Sequence, residues 1–232
     1  MADEVPSGPD ETTRLAFHER GGGGDVPLLF VHGVDDDSSC WDPVIDELQN
    51  ETRCVAVDLP GHGMSPTPTD PDAYRREAVL DAIDLVLDSI GPAILVGHSL
   101  GGYLGLAHSL SRPGILRGLV LVATGPGFRD AQSRERWNDR VRANASEYRV
   151  REIAATLALH EDSHVIDHLA EVTVPVALVI GSEDRAFVGA NDYLERKLVT
   201  AERTTIEGGR HFVMRSHPEE VSAAIRRLIQ RV

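Results

Sequence analysis

Residues 93–102, Ala93-Ile94-Leu95-Val96-Gly97-His98-Ser99-Leu100-Gly101-Gly102, decide how the chain is read. Four apolar residues run straight into Gly-His-Ser-Leu-Gly, and a helix-compatible segment, Tyr103 to Leu110, carries the chain away. That order spells a strand, a sharp turn and a helix. Small residues on either side of the serine let two backbone segments pass closely while the serine holds a strained conformation. The strain pushes its hydroxyl out at the carboxyl end of the strand, the arrangement of a nucleophile elbow. The alternative is a tight structural turn. Ser99 is therefore the candidate nucleophile.

Outward from this stretch, further short apolar runs occur at Leu28-Leu29-Phe30-Val31, Cys54-Val55-Ala56-Val57, Leu119 to Ala123 and Val176 to Ile180. Runs apolar on both faces, separated by helical segments, are what a parallel sheet covered on both sides requires. The order is β then α repeated, so the class is α/β, a mostly parallel twisted sheet with helices on both faces. Leu15 to Glu19 alternates weakly, and the glycines at 21–24 supply a turn before Leu28, so this pair is expected to form a β-hairpin.

The helices are checked by period. Ala78, Val79, Ala82, Ile83, Val86, Leu87 and Ile90 share a helical face, as do Val221, Ala224, Ile225, Leu228, Ile229 and Val232. Pro218 suits a first helical position, with Glu219 and Glu220 in the first turn. Between Gly125 and Thr173 the strand signal disappears, and Arg129 to Leu159 is expected to be helical. The chain thus divides into a frayed leader over residues 1–13, an α/β core over 14–127 and 171–232, and a short helical cap over 128–170. An insertion there would lie over the carboxyl ends of the strands, where open α/β sheets bind ligands.

With 232 residues the chain suits one α/β domain, and 41% apolar with 26% charged residues is ordinary for a soluble protein. No apolar run approaches the roughly 18 residues of a membrane span, and the first residues lack a signal-peptide pattern, so the expected location is the cytoplasm. A net charge of −14 opposes nucleic acid and anionic membrane as partners. Cys40 and Cys54 have neither metal-ligand nor redox-pair spacing.

A serine hydroxyl needs a base to take its proton and an acid to orient that base. Both are expected after Ser99, in the order acid then histidine, each just beyond a strand. Gly181-Ser182-Glu183-Asp184 follows one run and offers Asp184, with Glu183 as the neighbouring alternative. Glu207-Gly208-Gly209-Arg210-His211-Phe212 follows Thr204-Thr205-Ile206 and offers His211, one of ten histidines. Acyl transfer also needs donors for the developing oxyanion. The backbone N–H of Leu100 is one candidate, and that of Val34, after Phe30-Val31-His32-Gly33, is the other.

Together these segments, with Asp58-Leu59-Pro60-Gly61-His62-Gly63-Met64-Ser65, resemble the serine-nucleophile, esterase-like branch of the α/β-hydrolase fold from Phe30 through Val232. The resemblance implies Ser99 as nucleophile, Asp184 as acid, His211 as base, Val34 and Leu100 as oxyanion donors, and Asp58 to Ser65 as a structural loop. Serine at 99 argues against the branches that attack with a carboxylate. No metal or organic cofactor is implied. The expected partner is a small-molecule acyl substrate, cleaved through an acyl-enzyme. The alternatives are a carbon–carbon hydrolase or a lyase using the same triad, and a non-catalytic small-molecule receptor. The menaquinone-pathway synthase branch also resembles the chain around Asp58 to Ser65, but it tends to carry arginine where Tyr103 stands.

Three features depart from the common pattern or stay open. Asp35-Asp36-Asp37 follows the His-Gly turn, and these carboxylates are expected to be solvated, the other reading being that three carboxylates near the entrance disfavour anionic substrates. Arg129 to Arg151 holds seven arginines against four carboxylates, expected as a solvated helix laced with i,i+4 pairs, the other reading being one or two arginines turned inward to a substrate carboxylate. His160, His164 and His168 recur every four residues and are expected along one face of a solvent-facing helix.

Overall fold

Strands that are apolar on both faces have to sit between two helical layers, and those of this chain do. The computed structural model describes residues 14–232; the leader expected over 1–13 lies outside the described residues. Strands β2 (Leu28–Val31), β3 (Cys54–Val57), β4 (Ile94–His98), β5 (Gly118–Val122) and β6 (Val176–Gly181) are buried along their whole length. With β1 (Phe17–Arg20) and β7 (Ala201–Ile206) they form one sheet in the order β1-β3-β2-β4-β5-β6-β7. Every pairing is parallel except that of β1 with β3.

Alternate side chains of β2 to β6 feed two cores. Leu29, Val31, Leu95 and Leu119 pack with α2 (Arg76–Ile90) and α3 (Leu100–Ser111). Leu28, Phe30, Ile94 and Val96 pack with α1 (Asp42–Leu48) and α9 (Pro218–Ile229). The apolar faces expected from the sequence for α2 and α9 are the buried ones, and α9 begins at Pro218.

The expected β-hairpin does not form. Phe17–Arg20 is half-exposed and suits a sheet edge, whereas Leu28–Val31 is buried on both faces and needs a central place. The chain therefore passes the start of β3, where Arg53 donates its N–H to the Gly23 carbonyl at 3.1 Å, and β2 enters on the far side. Gly21 permits the crossing: its φ is 78°, and a Cβ there would lie 2.3 Å from the Gln49 carbonyl oxygen.

Between β5 and β6 run three helices, α4 (Ala131–Asn144), α5 (Glu152–Ala155) and α6 (His164–Asp167). The continuous helix expected from Arg129 to Leu159 is broken after α4. There the Asp35 carboxylate accepts the backbone N–H of Arg149, a donor that a helix would have used internally. The segment is also tied to α2, because Arg76 donates to both carboxylate oxygens of Asp162 at 2.9 Å. The three spaced histidines share no helix: α6 begins at His164, His168 follows its end, and His160 lies upstream. The order is completed by α7 (Val188–Lys197) before β7 and α8 (Val213–Ser216) before α9. No helix of the described residues is long and apolar enough to cross a membrane.

Candidate active site

The turn after β4 holds Ser99 at φ 51° and ψ −110°, a conformation that only a tightly braced non-glycine residue keeps. Its bracing explains the glycines around it. A Cβ on Gly97 would lie 2.3 Å from the Gly102 nitrogen, and one on Gly101 would lie 2.2 Å from the Val31 carbonyl oxygen. Strand, turn and helix cross too closely for any side chain there. Ser99 is half-buried and faces a cavity of about 500 Å³.

Two loops at the same end of the sheet meet over that cavity. The loop after β6 carries Asp184, which is buried, and the loop after β7 carries His211, which borders the cavity. His211 Nδ1 and Asp184 Oδ2 are 2.8 Å apart. With an ionised carboxylate as acceptor, Nδ1 carries the proton and donates it. The loops are registered by Glu183 N–H to the Gly209 carbonyl at 2.8 Å and Gly208 N–H to Ser182 Oγ at 2.9 Å. Glu183, the alternative acid, points away and is exposed, paired with Arg210 Nε at 3.1 Å.

The His211 ring is clamped from two sides. Phe187 stacks on it with centroids 4.7 Å apart, and the fully buried His98 lies at 4.7 Å. His98 Nε2 donates to the His211 carbonyl at 3.0 Å, which fixes its tautomer. Burial, reinforced by the neighbouring His211, pushes the His98 pKa well below its ordinary value and keeps the ring neutral.

Val34 and Leu100 both border the cavity. Leu100 is the first residue of α3, so its N–H has no intrahelical acceptor. The turn bearing Val34 passes directly beside the elbow: a Cβ on Gly33 would lie 3.3 Å from Ser99 Cβ. His32 is the strut of this turn. Its Nδ1 donates to the Gly33 carbonyl at 2.6 Å and its Nε2 accepts the Leu59 N–H at 2.9 Å. Burial brings its pKa down to about 4.

The three aspartates that follow are bonded rather than solvated, which corrects the expectation from sequence. Asp37 caps a short helical turn by accepting the Ser39 N–H at 2.9 Å. Asp36 is buried against Arg215 at 2.5 Å, and that burial raises its pKa. Asp35, at φ 62°, holds Arg149. The Asp58 carboxylate meanwhile accepts from Ser38 and Met64, so the 58–65 segment is a brace for the same turn.

One side of the remaining cavity wall is aromatic. Tyr103 meets His160 edge-on at 4.5 Å, with Phe128 5.4 Å and Trp137 6.0 Å from the same ring. Burial lowers the His160 pKa to about 4. His98, Phe128 and Asn144 were missed from sequence, His160 was expected on a solvent-facing helix and instead borders the cavity, and Arg140 was one of seven arginines, none of them singled out. A signal for Asn144 and for Arg140 over the other arginines was present, since Trp137, Arg140, Val141 and Asn144 fall on one helical stripe. Among the described residues no group of three or more His, Cys, Asp or Glu is placed to hold a metal ion.

A mostly parallel sheet with a strained serine after one strand and an Asp–His pair on two later loops defines an α/β hydrolase. The chain belongs to the alpha/beta hydrolase family, whose model matches residues 28–224. It is similar to the pimeloyl-[acyl-carrier protein] methyl ester esterase of Nitrosomonas europaea, 32% identical over 118 residues that cover 49% of this chain and 43% of that protein. It is likewise similar to the (E)-2-((N-methylformamido)methylene)succinate hydrolase of Acinetobacter baylyi, 31% identical over 107 residues covering 46% and 40%. The matched stretch thus spans less than half the length of either relative. Among solved structures, MenH from S. aureus superposes with a TM-score of 0.82 at 18% identity, over 94% of this chain and 98% of that one.

Proposed function

We propose that the protein hydrolyses a small-molecule ester through an acyl-enzyme formed on Ser99. The observation that carries this is the 2.8 Å contact between His211 Nδ1 and buried Asp184, with His211 and Ser99 bordering one cavity. Held in that tautomer, His211 offers Nε2 to the Ser99 hydroxyl. Ser99 Oγ adds to the ester carbonyl as its proton passes to Nε2, and the N–H groups of Leu100 and Val34 take the negative charge on the carbonyl oxygen. The C–O bond to the alcohol then breaks and the alcohol leaves with the proton from His211. A water molecule, deprotonated by the same nitrogen, attacks the acyl-enzyme, and Ser99 recovers its proton as the acid departs. The relatives are consistent with this chemistry, one being named as a methyl ester esterase.

The helices over 128–170 form the cap of this reading, with Trp137 and Phe128 shaping the acyl site. The test is Ser99→Ala, which is expected to fold normally and to lose covalent labelling by a fluorophosphonate probe. Labelling that persists at the wild-type level would remove Ser99 from the mechanism.

A further inference from the structure

The structure sorts the arginines between 129 and 151. Arg129 is paired with Asp167 at 2.5 Å, and Arg142 with Glu135 at 2.7 Å. Arg134 donates to the Phe128 carbonyl, Arg136 to Ser133 Oγ and Arg149 to the Asp35 carbonyl. Of these seven, among the described residues, only the Arg140 and Arg151 side chains make no hydrogen bond or ion pair, and of the two only Arg140 borders the cavity. Its guanidinium carbon sits 5.5 Å from the centroid of the Trp137 ring, which props the side chain at the cavity wall. One turn further along α4, Asn144 borders the same space and offers two more N–H donors.

The surroundings make this cation selective. The cavity that holds Ser99 and His211 is lined by no aspartate or glutamate, and its walls are chiefly apolar and aromatic. The chain as a whole carries −14, so an anionic molecule is repelled by the general surface and finds an unpaired positive group at this cavity. A planar guanidinium fork beside an amide donor matches the two oxygens of a carboxylate.

We propose that the preferred substrates are esters bearing a second, free carboxylate remote from the scissile bond, held by Arg140 and Asn144. The carbon chain between lies along Trp137 and Phe128. The substrate class rests on the ester-hydrolase reading of Ser99, whereas the carboxylate site does not depend on catalysis.

Two measurements separate them. The first compares kcat/KM for the mono-4-nitrophenyl ester of adipic acid with that for 4-nitrophenyl hexanoate. Arg140→Gln is expected to lower the adipate-to-hexanoate ratio by about three- to fivefold, the effect of one charge-assisted contact to an arginine at the exposed rim of the cavity. Arg140→Lys restores part of it, because the charge returns without the fork. Arg151→Gln leaves the ratio at its wild-type value, and added salt narrows it. The second uses Ser99→Ala and follows tryptophan fluorescence, to which Trp137 at the cavity and the buried Trp41 contribute, on titration with the monoanilide of adipic acid and with hexananilide. Tighter binding of the carboxylated anilide, lost when Arg140→Gln is added, supports the site even if neither ester is turned over; that pattern would count against ester hydrolysis alone. Equal binding of the two anilides, no binding of either, or a ratio unmoved by Arg140→Gln overturns the proposal.

Discussion

Replacing Gly97 by alanine puts the elbow itself under load, and the size of the effect follows from the geometry. The new methyl carbon would sit 2.3 Å from the Gly102 nitrogen and 2.4 Å from the carbonyl carbon and oxygen of Gly101. Comfortable separations between such atoms start at about 3.5 Å, so β4 and the first turn of α3 have to part by about 1 Å. All three obstructing atoms are backbone, and no side chain can rotate away. The cost therefore falls near the top of the range for overpacking, about 3 kcal/mol. For a chain of this length that lowers Tm by about 6–12 °C. Activity should suffer more than stability, because the displacement separates Ser99 from the Leu100 N–H and from His211 together. A misplacement of about 1 Å costs on the order of a hundredfold in kcat. Thermal unfolding by circular dichroism and steady-state kinetics on a chromogenic ester read the two effects. Gly189→Ala is the control: it lies in α7 with nothing within 4 Å of its added Cβ. It should raise Tm by about 1–4 °C, since alanine is better than glycine in a helix. A Gly97→Ala protein with Tm within about 2 °C and kcat within about threefold of wild type would refute the claim that close backbone passage builds this site.

Two further perturbations probe the histidines. Asp184→Asn keeps the shape of the site but no longer demands a proton on His211 Nδ1, so kcat should fall by about a thousandfold or more, with KM changing far less; a fall below about tenfold on a chromogenic ester would mean that Asp184 does not orient the base. Stability should also depend on pH through the buried neutral histidines: burial holds His32 and His160 at about 4 and lowers His62, His98 and His108, against an unfolded value near 6.5. Because the folded pKa lies below the unfolded one, the unfolded chain binds more protons between these limits, so this stability is complete above about pH 6.5 and is lost as the pH falls toward 4. Each such histidine contributes a slope of about 1.4 kcal/mol per pH unit inside the window. Urea unfolding at pH 7.5, 6.5, 5.5 and 5.0 measures it, and a midpoint that stays flat from 6.5 to 5.0 contradicts the neutral, buried assignment.

What the chain reveals without its structure follows a physical division. The strands and the elbow were legible because burial on both faces leaves a continuous apolar run, and close backbone passage leaves glycine at 97 and 101. Sheet order was not legible, because the glycines at 21–24 permit a hairpin and a crossover equally. Only the half-exposed edge character of Phe17–Arg20 against the full burial of Leu28–Val31 decides between them. The choice of Asp184 over Glu183 turns on which way adjacent side chains leave one loop, and composition is silent on that.

The segment after β5 was the least legible because its form is set by partners far along the chain. The Asp35 carboxylate ends the helical run at Arg149, and Asp162 is fixed by Arg76 on α2. The same dependence governs its charges. A count of arginines cannot separate those consumed by Asp35, Asp167 and Glu135 from Arg140, which is left facing the cavity. A residue's availability to a substrate is what remains after the fold has used its neighbours, and for Arg140 that remainder depends on carboxylates set by the rest of the segment between β5 and β6 and by the turn after β2. Changes that free or occupy those carboxylates would therefore alter substrate choice while leaving Ser99, His211 and Asp184 in place.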